Sequence, residues 1–407
     1  MELLHERCGG LDVHKDTVVA CVRVARGRTA ERTVRSFGTT TGALRELLAW
    51  LVSERVAVVA MESTGVYWKP VYNLLEEQVP VMLVNPKAFK QVPGRKTDVQ
   101  DCVWLADLLA HGLLHPSLIP PRVIRELRDL TRQRTQWVKE RTQVQNRIGK
   151  LLEDANIKLG SVASDALGVS GRAMIAALVG GESDPESLSE LARGRLRAKL
   201  PELRAALEGL VTEHHRFLLG MLLDQLAEVE ARIERVGARI EEVMAPFEPA
   251  RRRLETIPGV GQLTAEAVLA EIGVDMSQFP SAAHLCSWAG ICPGNHRSAG
   301  QQKTGKTTRG SCWLRRALCE AAWAAAHSKG TYLGAQYARL ARTRGKRRAL
   351  VAVAHTLLTI IYHLLAEGTE YRELGSDWFD RCHADRTAAY LKRRLESMGY
   401  AVALHAA

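Results

Sequence analysis

Residues 56–61, Val-Ala-Val-Val-Ala-Met, form an unbroken apolar run of strand length, closed by Glu62. A strand that is apolar on both sides has to be covered on both sides, and a sheet finds that cover in helices. The neighbouring sequence supplies them. Residues 42–53 carry Leu44, Leu47, Leu48 and Leu51 at helical spacing, residues 65–78 read as a second helix, and residues 81–84 as another short buried strand. Upstream, Leu11-Asp12-Val13 lies in a strand. Residues 17–24 alternate and are rich in valine, and residues 29–37 make a third strand. The turns between them, near His14-Lys15-Asp16 and Arg26-Gly27-Arg28, are short, so the three should form an antiparallel meander. The order, three strands and then helices alternating with strands, predicts a mixed α/β sheet with helices on its faces.

The last helix of this series begins in the stretch Lys96-Thr97-Asp98-Val99-Gln100-Asp101-Cys102-Val103-Trp104-Leu105-Ala106-Asp107-Leu108-Leu109. Thr97 or Asp98 can cap it, and Val103, Leu105, Ala106, Leu108 and Leu109 follow at near-helical spacing. Asp98 and Asp101 are three apart and lie on one face. Taken alone they fit a first turn whose acids complement the helix dipole. A divalent cation is the sharper reading, and it needs more hard oxygen ligands from elsewhere. Asp12 on the first strand and Glu62 at the carboxyl end of the apolar strand are the candidates, because active groups in open α/β sheets gather at carboxyl ends.

The strand order resembles the RNase H-like fold, in particular its RuvC-like resolvase branch. Gly10-Leu11-Asp12-Val13-His14-Lys15, Glu62-Ser63-Thr64-Gly65-Val66-Tyr67, Asn85-Pro86 and Lys96-Thr97-Asp98-Val99-Gln100-Asp101 resemble the DEDD motifs of the insertion-sequence 110 family of transposases. That family includes the Piv-type invertases and the bridge-RNA-guided recombinases. The resemblance implies that Asp12, Glu62, Asp98 and Asp101 are a metal-binding catalytic tetrad, with magnesium as the cofactor. Cys102 stands where the family more often has alanine.

From Val123 a heptad runs through Leu127, Leu130, Arg134, Trp137, Arg141, Val144, Ile148 and Leu151, which predicts one long helix. Arg134 and Arg141 fall on its seam. Arg125, Arg128, Arg132, Lys139, Arg147 and Lys150 stud the other faces, and for most of these a solvated surface is the simpler expectation. A second heptad runs Leu222, Leu226, Val229, Ile233, Val236, Ile240, Val243. The two can pair within one chain or across a dimer. Residues 156–210, with Pro185, Pro201 and Gly- and Ser-rich breaks, read as short helices or an insertion. The resemblance implies a helical coiled-coil region that joins two catalytic halves and dimerises.

Further on, Leu254-Glu255-Thr256-Ile257-Pro258-Gly259-Val260-Gly261 lies between two short helical patterns, a helix-hairpin-helix arrangement. Its glycines allow a sharp turn, and the amides opening the second helix can hold a phosphate. Then comes Trp288-Ala289-Gly290-Ile291-Cys292-Pro293-Gly294-Asn295-His296-Arg297-Ser298-Ala299-Gly300, followed by Lys303, Lys306 and Arg309. Glycine and cations together fit close approach to a phosphate backbone. Nucleic-acid contact is therefore expected at Gly259, Gly261, Arg297, Lys303, Lys306 and Arg309. An isolated loop serine is ordinarily a cap. This stretch, with Gly310 and Leu314-Arg315 after it, resembles the C-terminal transposase domain of the same family, which implies that Ser298 is a nucleophile. Ser311 is a second hydroxyl nearby.

Residues 346–365 read as an amphipathic helix with a basic start, and the chain after Tyr371 carries no motif. The expected domains are 1–115 (RuvC-like, DEDD), 116–248 (helical, dimerising), 249–370 (transposase domain with the serine loop) and 371–407 (tail). The net charge of +11 and pI near 9.4 suggest a polyanionic partner. No apolar run is read as reaching the ~18 residues of a membrane span, and no signal peptide opens the chain, so the expected location is cytoplasmic. The eight cysteines lack a C-x-x-C pair, and free, mostly buried thiols are expected. Cys286, Cys292 and His296 match no common zinc spacing. The resemblance implies recombination of DNA at an insertion sequence, and the seam helices are expected to hold at least a dimer. From the family alone, an element-encoded guide RNA is a further expected partner. A metal-dependent junction nuclease using water as nucleophile is the alternative.

Overall fold

The computed structural model describes residues 3–27, 29–63, 65–84, 98–293, 296–298, 301–304, 306–382 and 384–403. The side chains of residues 98–99, 296–298, 302–304 and 386 also lie outside the description. Two units divide the chain, Met1–Ile119 and Pro120–Ala407.

In the first unit, β1 (Arg7–Val13), β2 (Thr17–Arg26) and β3 (Thr29–Gly38) form the expected antiparallel meander. Its first turn is closed by the His14 amide donating to the Thr17 carbonyl at 2.9 Å. After α1 (Thr41–Ser53) comes β4 (Val58–Glu62), parallel to β1. After α2 (Trp68–Leu75) comes β5 (Val81–Val84), parallel to β4. The sheet order is β3-β2-β1-β4-β5. The chain leaves the meander at one edge and returns on the far side of β1, so β1 lies in the middle. The first strand begins four residues earlier than its sequence suggested. Gly9 and Gly10, outside the expected strand of Leu11-Asp12-Val13, are both paired within β1.

Side chains alternate across the sheet. Leu11, Val13, Val59, Met61 and Leu83 join Leu44, Leu47 and Leu51 of α1 and Val71 and Leu75 of α2 in one apolar cluster. On the other face, Cys8, Ala60 and Val84 meet Leu105, Leu108 and Leu109 of α3 (Asp98–Ala110). Helices on both faces are the cover that the apolar strand required.

In the second unit the two heptads become α4 (Arg122–Asp154) and α5 (Glu213–Met244). They pack against each other within the chain and run antiparallel. The end of α4 meets the start of α5, where the His215 ring is 3.0 Å from the Asp154 carboxylate. Val144, Ile148 and Leu152 share a buried cluster with Leu219 and Leu226 and with short helices from residues 159–207. The heptad seam is thus used inside the chain. Next come α6 (Glu248–Glu255), α7 (Gln262–Ile272), α8 (Ala282–Trp288), the hairpin β6 (His296–Ser298) and β7 (Gln301–Thr304), α9 (Cys312–Ala326), α10 (Tyr332–Arg344) and α11 (Lys346–Glu367). By length and composition α11 could cross a membrane, contrary to the sequence expectation that no run is long enough. It packs as a core helix, with Ala349, Val353, Ala354, Leu357, Leu358, Ile361 and Leu364 buried. Two short helices, Trp378–Cys382 and Ala384–Ser397, follow it.

Candidate active site

The candidate residues of the sequence fall into two groups, one in each unit. The first is built on β1. Leu11 pairs with Met61 across the parallel β1–β4 ladder. One residue further on, this register sets Asp12 beside Glu62, on strands spaced about 4.8 Å apart. Alternation turns both carboxylates to the face that α3 covers. Both are buried, Asp12 at 6% exposure and Glu62 at 8%. The His14 Nε2 lies 3.0 Å from an Asp12 carboxylate oxygen.

Helix α3 reaches this face because β1 has no side chain at Gly10. A Cβ there would meet the Cys102 carbonyl oxygen at 2.1 Å and the Ala106 amide nitrogen at 2.7 Å. Asp107 fixes the helix laterally. It accepts from Arg23 Nε of β2 at 2.9 Å and from Arg32 Nη2 of β3 at 3.0 Å. Two thiols fill the interface. Cys102 is fully buried, and Cys8 donates to the Ala106 carbonyl at 3.4 Å. Burial pushes the Cys102 thiol up to about 11, and the nearby Asp12 and Asp101 charges add to the rise. Asp101, half-buried, is therefore on the same side of the sheet as Asp12. Asp98 is the first residue of α3, and its side chain lies outside the described residues, as does Thr97, the other candidate cap.

Among the described residues no three His, Cys, Asp or Glu side chains stand close enough to hold a metal. The donor chemistry nevertheless suits a hard divalent cation. Asp12, Glu62 and Asp101 offer only carboxylate oxygens on one face, with Asp98 a turn away on the same helix.

The second group surrounds the serine. Ser298 ends β6 and pairs with Gln301, the first residue of β7, so it stands at the tip of a two-stranded hairpin. The side chains of Arg297, Ser298 and Lys303 lie outside the described residues, while Lys306 and Arg309 are exposed. Two glycines close the base of the loop. Gly290 has φ +69°, and a Cβ on it would come within 2.6 Å of the Gly310 nitrogen. A Cβ on Gly310 would come within 2.3 Å of the Ala289 carbonyl. Arg315 of α9 locks this crossing, donating to the Gly290 carbonyl and, at 2.7 Å, to that of Thr308.

Ser311 is differently placed. It caps α9, accepting from the Leu314 amide at 3.2 Å, and its hydroxyl donates to Glu271 at 2.9 Å. Glu271 is buried at the end of α7 and takes a two-pronged bond from Arg132 of α4, at 2.7 and 2.9 Å. Arg128 donates to the Ala270 and Glu271 carbonyls at 3.1 and 2.6 Å, capping α7. Arg134 donates to buried Glu266 at 2.6 Å, and Gln262 donates to the same carboxylate at 2.9 Å. Arg128, Arg132 and Arg134 are thus internal ties between α4 and α7. For Arg128 and Arg132 this corrects the expectation of a solvated face. The acids that recruit them are well over a hundred residues away in sequence, out of reach of local pattern.

The turn between α6 and α7 uses its two glycines unequally. Gly259 has φ +87° and abuts α9, where a Cβ would meet the Ala325 nitrogen at 2.5 Å and the Ala321 carbonyl at 2.6 Å. Packing alone requires that glycine. Gly261 precedes α7 with nothing within 4 Å of a Cβ. Packing therefore does not require a glycine at 261.

Comparison with known proteins gives this arrangement a class. Residues 9–157 match the DEDD transposase family of the IS110 type, and residues 251–338 match the transposase family IS116/IS110/IS902. A probable family 20 transposase of Pseudomonas aeruginosa is 28% identical, covering 77% of this chain and 86% of that protein. The transposase for insertion sequence element IS1111A of Coxiella burnetii is 25% identical, covering 80% and 82%. A solved RuvC of Thermus thermophilus overlaps 27% of this chain and 99% of its own at 15% identity, with a TM-score of 0.23. That likeness is too slight to define the fold. The protein is a transposase, an enzyme that cuts and rejoins DNA. It belongs to the IS110 family; the first match runs from the sheet with its carboxylates on through α4, and the second spans α6 into α10, around the serine hairpin.

Proposed function

We propose that this transposase moves its insertion sequence by attack of Ser298 on DNA, with Asp12, Glu62, Asp98 and Asp101 as the ligands of a divalent cation, magnesium. The observation that carries the reading is the in-register pair Asp12 and Glu62, buried beneath the helix that bears Asp98 and Asp101. The sheet order is consistent with the RNase H-like, RuvC-like reading of this unit. When bound, the cation neutralises charge on the phosphate and on the attacking and leaving oxygens. The four carboxylates hold and orient it.

Ser298 Oγ forms a bond to the scissile phosphorus, its proton leaving to a base, while the bond from phosphorus to one DNA oxygen breaks. That oxygen leaves as a hydroxyl after taking a proton. The product is a phosphoserine ester that retains the phosphodiester's energy. Attack by a second DNA hydroxyl restores the serine and joins a new pair of ends without ATP. Gly261 with the first amides of α7, together with Arg297, Lys303, Lys306 and Arg309, would hold phosphates along the helix-hairpin-helix and the serine hairpin. A guide RNA encoded by the element and a homo-oligomer of the chain complete the reading, both from the family resemblance.

The test is a denaturing gel of protein incubated with labelled element-junction DNA, guide and magnesium. Parent protein should give a covalent protein–DNA adduct. Ser298→Ala should bind DNA but give neither adduct nor recombinants, and Asp98→Ala should fail with its serine intact. Nicked DNA released by Ser298→Ala at the parent rate would make water the nucleophile and the chain a junction-type nuclease.

A further inference from the structure

No Asp or Glu stands between Glu320 and Glu367, while Lys329, Arg339, Arg342, Arg344, Lys346, Arg347 and Arg348 do. Five of these cations gather where α10 turns into α11. The two helices are joined by Gly345 alone, whose φ of +80° a side chain would strain, and its amide closes α10 by donating to the Ala341 carbonyl at 3.2 Å. Arg342 and Arg344 occupy the last turn of α10 and Lys346, Arg347 and Arg348 the first turn of α11. All five are exposed, and among the described residues none forms an ion pair.

Cations at the end of α10 complement its dipole, but those opening α11 oppose theirs, at some tenths of a kcal/mol each. Among the described residues nothing offsets them: α11 has no acid in its first turn and no side-chain cap. A phosphate would be held by the same features that are unfavourable in its absence, the cationic side chains and the first amides of α11. The tip is anchored close by, since Ala349 and Val353 begin the buried face of α11.

We propose that this turn is a second DNA-binding surface of the transposase, gripping the phosphate backbone of duplex DNA without reading its bases. Between Tyr337 and Tyr362 the chain has no Phe, Tyr or Trp, and its one imidazole, His355, is half-buried in the middle of α11. Proteins that hold single strands stack unpaired bases on such rings, whereas backbone contact to a duplex needs only cations and amides. A membrane surface fits less well, because the apolar face of α11 beyond the cations is already packed inside the protein. The inference rests on the DNA-acting role of the family.

The test compares the full chain with the triple variant Lys346→Gln, Arg347→Gln, Arg348→Gln. Binding is measured to a blunt DNA duplex of arbitrary sequence, to single-stranded RNA of equal length, and to anionic phospholipid vesicles. Each phosphate contact contributes about 0.9 to the slope of log affinity against log salt. The variant should show a duplex slope shallower by about 2 to 3 and the weaker binding that follows from it. Its melting temperature should be no lower than the parent's. An unchanged duplex slope, or a loss confined to RNA or to vesicles, overturns the proposal and leaves the transposase reading standing. No duplex binding by the parent overturns both.

Discussion

A Cβ on Gly10 would lie 2.1 Å from the carbonyl oxygen of Cys102, so β1 and α3 touch backbone to backbone. Only glycine permits this, and the contact decides where α3, and with it Asp98 and Asp101, sits above Asp12. Both obstructing atoms are main-chain, so neither can swing aside. Gly10→Ala should therefore cost more than the 1–3 kcal/mol, roughly, of ordinary overpacking. Urea unfolding should show that loss, and adduct formation should disappear with it. Gly42→Ala in α1, where nothing lies within 4 Å, should instead be neutral or stabilise by up to about 1 kcal/mol. Equal stability for Gly10→Ala and the parent would mean that α3 is not seated this way.

Asp107 is the lateral anchor of the same helix. Arg23 is buried, and removing its carboxylate partner leaves an uncompensated charge in the sheet. Asp107→Ala is expected to destabilise the first unit by about 3 kcal/mol, since Asp107 is itself mostly covered. Arg32→Ala, at a more exposed partner, should cost under about 1 kcal/mol. Thermal melting of the two variants tests the ranking, and a larger effect at Arg32 would refute it.

Much of this first unit was legible in the sequence because its signals are local. The apolar run before Glu62, the alternating meander and the first-turn acids at 98 and 101 each report on their own element. Gly10 was not legible as a strand residue, since its cause is a helix about ninety residues on. Asp107 and its two arginines were missed for the same reason, as was the tie from Arg132 to Glu271. The heptads announced two long helices but not their partner, because the same seam serves one chain or two. Ser298 was singled out through family resemblance, a lone loop serine having no physical signature of its own. Ser311 could be told apart from it only once its cap and its bond to Glu271 were seen.

Burial divides the thiols. It pushes Cys8 and Cys286 up to about 11 and Cys21 up to about 12, so at pH 8 hardly any of these is thiolate. Cys312 and Cys382 are exposed. Brief alkylation of native protein at pH 8, read by peptide mass, should label Cys312 and Cys382 and spare Cys8, Cys21, Cys102 and Cys286. Raising the pH toward 9 should still leave the buried four unmodified. Rapid labelling of Cys102 would contradict the packed interface between β1 and α3.

The last prediction separates the two hydroxyls of the serine unit. Ser311 caps α9 and donates to Glu271, while Glu271 is held by Arg132. Ser311→Ala should cost about 1 kcal/mol, the usual value of a lost cap. Glu271→Gln keeps the shape but breaks the two-pronged bond, leaving Arg132 without its countercharge, and about 3 kcal/mol is expected. Because Ser311 bonds to the carboxylate that Glu271→Gln removes, the double variant should lose less than the sum of the singles. The shortfall should exceed 0.5 kcal/mol, roughly the scatter of independent sites. Strict additivity in urea unfolding would mean that the Ser311–Glu271 bond contributes nothing. The adduct assay then gives an independent reading. Ser311→Ala, folded at the assay temperature, should still trap DNA covalently, because its hydroxyl holds α9 and Glu271. Loss of the adduct in Ser311→Ala, with the adduct kept in Ser298→Ala, would move the nucleophile from the hairpin tip to the start of α9.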